Sequence, residues 1–346
     1  MEELEEQPMW AIRQASRQVL RVSRRNQKYG MTDYRRSIET SRIDPDTIAD
    51  IPNKLKNKSA LTLHDLHILK NILIDDENYI EIVLSTNGAL RGLIRELSGR
   101  DVKRQCAAAG CLCNLALGDT KACVAIAKAG GHYLTPALDS TTELAVTSAW
   151  ALGNIAGAGA RSCELLCELG AAGKLAELLG RRDAADAAVY ALTHVAYQMK
   201  NTLSIEYVAR IIEAYSKLEL NLETCRLLFY LSCHEELHSN HLPHRLLLKL
   251  LDATAVSMER HVMGTCKRSD VCCELLYLLR TLANISVTKV NSDLVLEYLI
   301  DKKLLEYFKT IIATDNAIIK LSSLWLLGNL FNSSGETLFE EFIGGN

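Results

Sequence analysis

No stretch of eighteen or more uncharged apolar residues occurs in the 346-residue chain, so no segment reads as a membrane-spanning helix. The longest run of small apolar residues, near Cys106 to Leu117, is broken by Asn114 and suits a buried helix. Aromatic residues make up only 6% of the chain, and no Gly-X-Y period accompanies its 19 glycines and 5 prolines, which excludes collagen. With 48% hydrophobic residues, wholesale disorder is excluded as well. The N-terminus has neither an apolar signal core nor a small-residue cleavage site. The eleven cysteines lie inside apolar helical patterns (Cys106, Cys111, Cys113, Cys163, Cys167) rather than framing loops, so they are expected to be reduced, in the cytoplasm or nucleus. No phosphate loop, dinucleotide fingerprint, serine elbow or Cys-x-x-Cys pair occurs, and no cofactor is expected.

The formal net charge of −3 hides an asymmetry. Four glutamates within residues 2–6 precede Arg13, Arg17, Arg21, Arg24, Arg25, Lys28, Arg35, Arg36 and Arg42. Arg13, Arg17, Arg21 and Arg25 recur every four residues, so a helix would align them on one face toward an acidic partner; a solvated tail fits the composition equally. Asp44-Pro45, Ile51-Pro52 and the lysine-rich stretch to Lys58 read as a linker. Residues 1–58 are therefore expected to form a basic arm and linker, and 59–346 the folded part. Because the arm has no interleaved aromatics, nucleic acid is not an expected partner.

From residue 69 onward one motif recurs: apolar, two residues, apolar, with a polar slot before the last member. It appears as Leu69-Lys70-Asn71-Ile72, Leu112-Cys113-Asn114-Leu115, Leu152-Gly153-Asn154-Ile155, Leu192-Thr193-His194-Val195, Leu228-Phe229-Tyr230-Leu231, Leu282-Ala283-Asn284-Ile285 and Leu327-Gly328-Asn329-Leu330. Slots lie 43, 40, 40, 36, 54 and 45 residues apart, the length of a two- or three-helix repeat. Glycines 16 or 17 residues beyond a slot (Gly88, Gly130, Gly170, Gly345) read as helix stops. Between these marks the periodicity is helical throughout. One such repeat cannot bury both faces of its helices, so seven copies are expected to stack into an all-α, right-handed superhelical solenoid with a concave groove. The longest interval predicts an inserted loop near 254–270.

Trp150 and Asn154 are four apart and share one helical face. Facing a groove, the indole could carry a lysine or arginine stem, and the carboxamide could serve a peptide backbone through its donor and its acceptor. Equally, Trp150 could be core and Asn154 a bridge between repeats. His234-Glu235-Glu236-Leu237-His238, with His244 beyond, satisfies the pattern of a zinc protease. His241 stands where that motif needs glycine and Pro243 intervenes, so a solvated polar helix is preferred and neither catalysis nor a bound metal is expected.

The string Ala149-Trp150-Ala151-Leu152-Gly153-Asn154-Ile155-Ala156-Gly157 resembles the third helix of an armadillo repeat, and specifically the importin-α nuclear-import adaptors. The succession Trp150/Asn154, Tyr230, Arg280/Asn284, Trp325/Asn329 follows that family's order from about residue 55 to the end. An arginine-rich armadillo family named for a transmembrane and coiled-coil domain is similar to the same degree. The resemblance implies a non-enzymatic adaptor, cytoplasmic and nuclear, with Asn114, Trp150, Asn154, Tyr190, Asn284, Trp325 and Asn329 holding an extended cargo peptide. It further implies that an importin-β-like receptor binds the arm. Departures are plain: the position four before each slot reads His67, Gly110, Trp150, Tyr190, Arg226, Arg280 and Trp325, and Ala158 replaces an aspartate that would pair with a signal lysine. The chain also stops at Gly345-Asn346, where a further repeat would be expected.

Overall fold

A computed structural model describes residues 45–57, 61–75, 78–200, 202–234, 237, 242–264 and 269–343. Among the described residues there are 17 α-helices and no strands, in two compact units divided between Gln198 and Met199.

The first unit holds α1 (Pro45–Asn57), α2 (Leu63–Asp75), α3 (Asn78–Ser85), α4 (Ala89–Leu97), α5 (Val102–Leu115), α6 (Thr120–Ala137), α7 (Thr142–Ala156), α8 (Ala160–Glu168), α9 (Ala171–Leu178) and α10 (Ala185–Gln198). The slot-bearing helices α2, α5, α7 and α10 pack on one another in chain order. The shorter α3, α4, α8 and α9, with α6, form the layer behind them. In the second unit are α11 (Ile205–Tyr215), α12 (Leu222–Ser232), α13 (His244–Val262), α14 (Ser269–Ile285), α15 (Lys289–Asp301), α16 (Leu305–Ala313) and α17 (Ala317–Ile343). There α12, α14 and α17 repeat the stacking, backed by α13, α15 and α16.

The repeat motif builds this stack directly. Leu112, Leu152, Leu192, Leu228 and Leu282, each two before a slot, and Leu115, Ile155, Val195, Leu231 and Ile285, each one after, are all buried. Each such side chain contributes about 1.5–3 kcal/mol on leaving water. Helix starts are set by polar caps. Asp101 accepts from Lys103 N and Arg104 N at α5, and Asp119 accepts from Ala122 N at α6. At α2 the box is reciprocal: Thr62 N and Oγ1 each donate to Asp65 Oδ2 over 2.7 Å, and Asp65 N donates to Thr62 Oγ1.

Three expectations are corrected. The stretch read as a linker contains α1, whose Ile51 and Leu55 are fully buried one turn apart; Pro45 is its first residue, where the missing N–H costs nothing, and Pro52 is accommodated within it. Gly88 and Gly170 do turn between helices with φ of +94° and +78°, but Gly130 lies inside the unbroken α6. A β-carbon at Gly130 would sit 2.9 Å from Ile94 Cδ1, so the glycine serves close packing rather than a stop. Finally, α13 continues to Val262 through most of the supposed inserted loop, because Thr254, Ser257 and Met258 extend its buried face and Thr254 Oγ1 bonds back to Leu250 O. Gly345 and residues 1–44, which carry every arginine of the proposed arm, lie outside the described residues.

Candidate functional site

The slot asparagines are used inside the stack. At the end of α5 the amides of Ala116, Leu117 and Gly118 reach Leu112 O, Asn114 O and Leu115 O, while Cys113 O receives Asn154 Nδ2 from α7 at 2.9 Å. The same bond recurs one repeat earlier, from Asn114 Nδ2 to Lys70 O at 2.6 Å, and in the second unit from Asn329 Nδ2 to Ala283 O at 2.8 Å. In each case the acceptor immediately precedes the previous slot. Asn284 instead donates to Ser232 Oγ at 2.9 Å. Asn114, Asn154 and Asn284 are buried, so the structure takes the bridging alternative for them and withdraws their carboxamides from solvent. Asn154 is used at both ends, its Oδ1 accepting from Tyr190 Oη at 2.7 Å.

Of the residues four positions earlier, Gly110 is buried, while Trp150, Tyr190, Arg280 and Trp325 reach the surface. Trp150 and Tyr190, half-buried on α7 and α10, stack with ring centroids 4.3 Å apart, tilted by 40°. His194, which replaces a slot asparagine, meets Tyr190 edge-on at 4.8 Å and is buried. Exposed Glu143 and Asp186 lie on the same helices, seven residues before Trp150 and four before Tyr190. Ala158 is only 9% exposed and its carbonyl accepts from Thr120 Oγ1, so the position offers a ligand little room.

In the second unit Trp325 is 43% exposed on α17 and Asn329 is half-buried. The sequence reading passed over the aromatics beside Arg226 and Arg280. Arg226 lies over the Tyr277 ring at 5.5 Å and donates through Nε to Tyr277 Oη at 3.2 Å; Arg280 lies over Phe229 at 5.8 Å. The signal was present as helical spacing, since Phe229 follows Arg226 by three and Tyr277 precedes Arg280 by three.

Of the candidate zinc ligands, His234 has Nε2 2.9 Å from Leu203 O, which requires that nitrogen to carry the proton; His238 lies outside the described residues. Among the described residues no group of three or more His, Cys, Asp or Glu is arranged to hold a metal ion, and no helix is long and apolar enough to cross a membrane. Cys106, Cys111, Cys113, Cys123, Cys163 and Cys225 are buried, and burial pushes the Cys106 thiol up to about 11 and that of Cys225 to about 12.

No protein-family model and no curated protein matches the chain. Among solved structures, an engineered protein from the Northeast Structural Genomics Consortium is similar over 86% of this chain and 71% of its own, at 20% identity and a TM-score of 0.64. A designed armadillo repeat protein is similar over 82% of this chain and 99% of its own, at 18% identity and a TM-score of 0.47. A second, in complex with the peptide (KR)4, covers the same shares at 19% identity and 0.46. At these identities the likeness is one of fold. With the stacked slot helices and the shorter helices behind them, it supports an all-α solenoid fold of stacked helical repeats.

Proposed function

We propose that the chain is a non-enzymatic protein-interaction scaffold that holds an extended protein segment across the exposed faces of its slot-bearing helices. The observation that carries this reading is the half-buried Trp150–Tyr190 stack, anchored through Tyr190 Oη to the buried Asn154. A flat aromatic wall locked by a bridge between helices costs little ordering when a ligand arrives, which is the property of an interface anchor. Recognition of lysine-rich import signals, the narrower reading, keeps Trp150 and the nearby Glu143 and Asp186. It loses the carboxamides to the seam, and half-buried arginines, Arg226 and Arg280, stand at the positions four before two of the slots. General scaffolding therefore has more support than import-signal recognition. Receptor binding by the arm, at Arg13, Arg17, Arg21, Arg24, Arg25, Arg35 and Arg36, stands as a separate proposal. Its check is capture of importin-β with and without residues 1–44.

The scaffold reading is tested by titrating labelled extended peptides against wild type and Trp150→Ala. The substitution is expected to weaken binding by about 1–3 kcal/mol with helicity retained. Unchanged affinity, or loss of the fold, would remove Trp150 from the site.

A further inference from the structure

The second unit carries two arginines on adjacent stacked helices, one of which has no carboxylate partner among the described residues. Arg226 on α12 and Arg280 on α14 occupy the same repeat position on adjacent stacked helices, and Trp325 occupies it on α17. Arg280 donates through Nε to Ser322 Oγ at 3.2 Å, and its guanidinium carbon lies 5.8 Å from the Phe229 ring centroid. Among the described residues no carboxylate lies within ion-pair distance of Arg280, which leaves its two terminal NH2 groups unpaired. Arg226 is fixed by Tyr277 and by one carboxylate, that of Glu223, at 2.9 Å; the Glu223 side chain is 54% exposed. Lys200, in the same unit, is exposed. Glu274 is the other carboxylate nearby on α14, and its cationic partner is Arg260 of α13.

Arg280, with Nε engaged by Ser322 and no carboxylate among the described residues on its terminal nitrogens, presents the fork that carboxylates accept in bidentate fashion, while Arg226 keeps one terminal nitrogen on Glu223. Neighbouring stacked helices run about 8–10 Å apart. An extended or polyproline-like chain advances roughly 3.1–3.4 Å per residue, so side chains three apart match that spacing. The geometry points to this row as a binding site for an acidic extended peptide, with aspartate or glutamate carboxylates taken by Arg280 and Arg226 and the Trp325 ring flanking them. The inference rests on the scaffold reading and adds the charge of the segment held by the second unit.

The test is fluorescence anisotropy of the full chain with labelled peptides bearing glutamate, glutamine, lysine or phosphoserine at every third position. The glutamate peptide is expected to bind at least tenfold more tightly than the glutamine peptide, with affinity falling as salt rises. Arg280→Gln should remove at least tenfold of that binding, and Arg280→Lys, which keeps the charge and loses the fork, should remove less. Glu223→Gln should tighten binding several-fold by releasing Arg226, a gain that misfolding cannot mimic. Equal binding of the glutamate and glutamine peptides, or no response to either Arg280→Gln or Glu223→Gln, would overturn the inference. So would selective binding of phosphoserine, which would assign the row to phosphate instead. If the lysine peptide binds in a Trp150-dependent way and the glutamate peptide does not, the inference fails and the scaffold reading stands. If no peptide binds, both fail.

Discussion

Replacing Asn154 with alanine removes two principal hydrogen bonds, one into α5 and one from α10, beside a weaker one to Cys113 Sγ at 3.4 Å, and the geometry sets the size of the loss. The bonds are 2.9 Å to Cys113 O and 2.7 Å from Tyr190 Oη, and the residue is 5% exposed. The Tyr190 bond is worth about 0.5–1.5 kcal/mol net, and the buried Cys113 carbonyl deprived of this donor costs ~1–3 kcal/mol. Tyr190 is half-exposed and can turn its hydroxyl to water, so most of the penalty falls on the Cys113 carbonyl. A total of about 2–4 kcal/mol follows from those terms. In a repeat array, unfolding need not be all-or-none, so a single melting midpoint is a poor measure. Amide hydrogen exchange reads the site itself: protection in the last turns of α5 and α7 should fall by roughly 30-fold to 1000-fold, at tenfold per 1.4 kcal/mol. Tyr190→Phe, which removes only the hydroxyl, should cost about 1 kcal/mol and be largely silent on top of Asn154→Ala. Protection unchanged within a factor of two would refute the claim that the slot asparagine holds the seam.

Two glycines at the same repeat position should respond with opposite sign. A β-carbon at Gly153 would stand 2.6 Å from the Tyr190 ring and 3.1 Å from Ala191 Cα, so Gly153→Ala should destabilise by about 1–3 kcal/mol, whereas Gly328 has nothing within 4 Å and Gly328→Ala should stabilise by up to ~1 kcal/mol in thermal melts. Burial alone would raise the Asp65 carboxyl, but hydrogen bonds from Thr62 and Lys54 hold it below its usual 3.8. Its contribution is therefore present above the unfolded value and lost as pH falls through the folded one; Asp65→Ala should cost about 1–2 kcal/mol in urea titrations at pH 7 and much less near pH 2. Elemental analysis of purified protein should find no stoichiometric zinc, and one tightly held zinc per chain, lost in His238→Ala, would revive the hydrolase reading.

The repeat was legible because its signal is redundant: every slot is flanked by apolar residues at −2 and +1, and those alone place the stacked helices. What the sequence left open was which way the slot faced. Asn154 can serve a ligand or a neighbouring carbonyl with the same atoms, and only the position of the α5 terminus decides it. Prolines misled at α1, where Pro45 starts a helix that Pro52 does not end. Gly130 misled in the opposite sense, because a glycine required for close packing looks in sequence like one required for a turn. The arginine row was noted as a departure from the import-adaptor pattern, yet its meaning depends on Phe229 and Tyr277, which lie beside the guanidinium groups from the neighbouring helix.

The carboxamide bonds also fix where the chain can be cut and rejoined. Asn114 and Asn154 reach back only as far as Lys70, while Asn284 and Asn329 reach back only to Ser232. His194 and Tyr230 occupy the two slots between, and each of these four bonds closes within its own unit. A crossover at that junction would exchange whole ladders between related genes and leave every such carbonyl with its donor. A crossover between residues 71 and 154, or between 232 and 329, would pair a donor with a foreign helix end. Chimaeras joined at 198/199 should thus keep these four bonds, whereas those joined a few helices to either side should lose one.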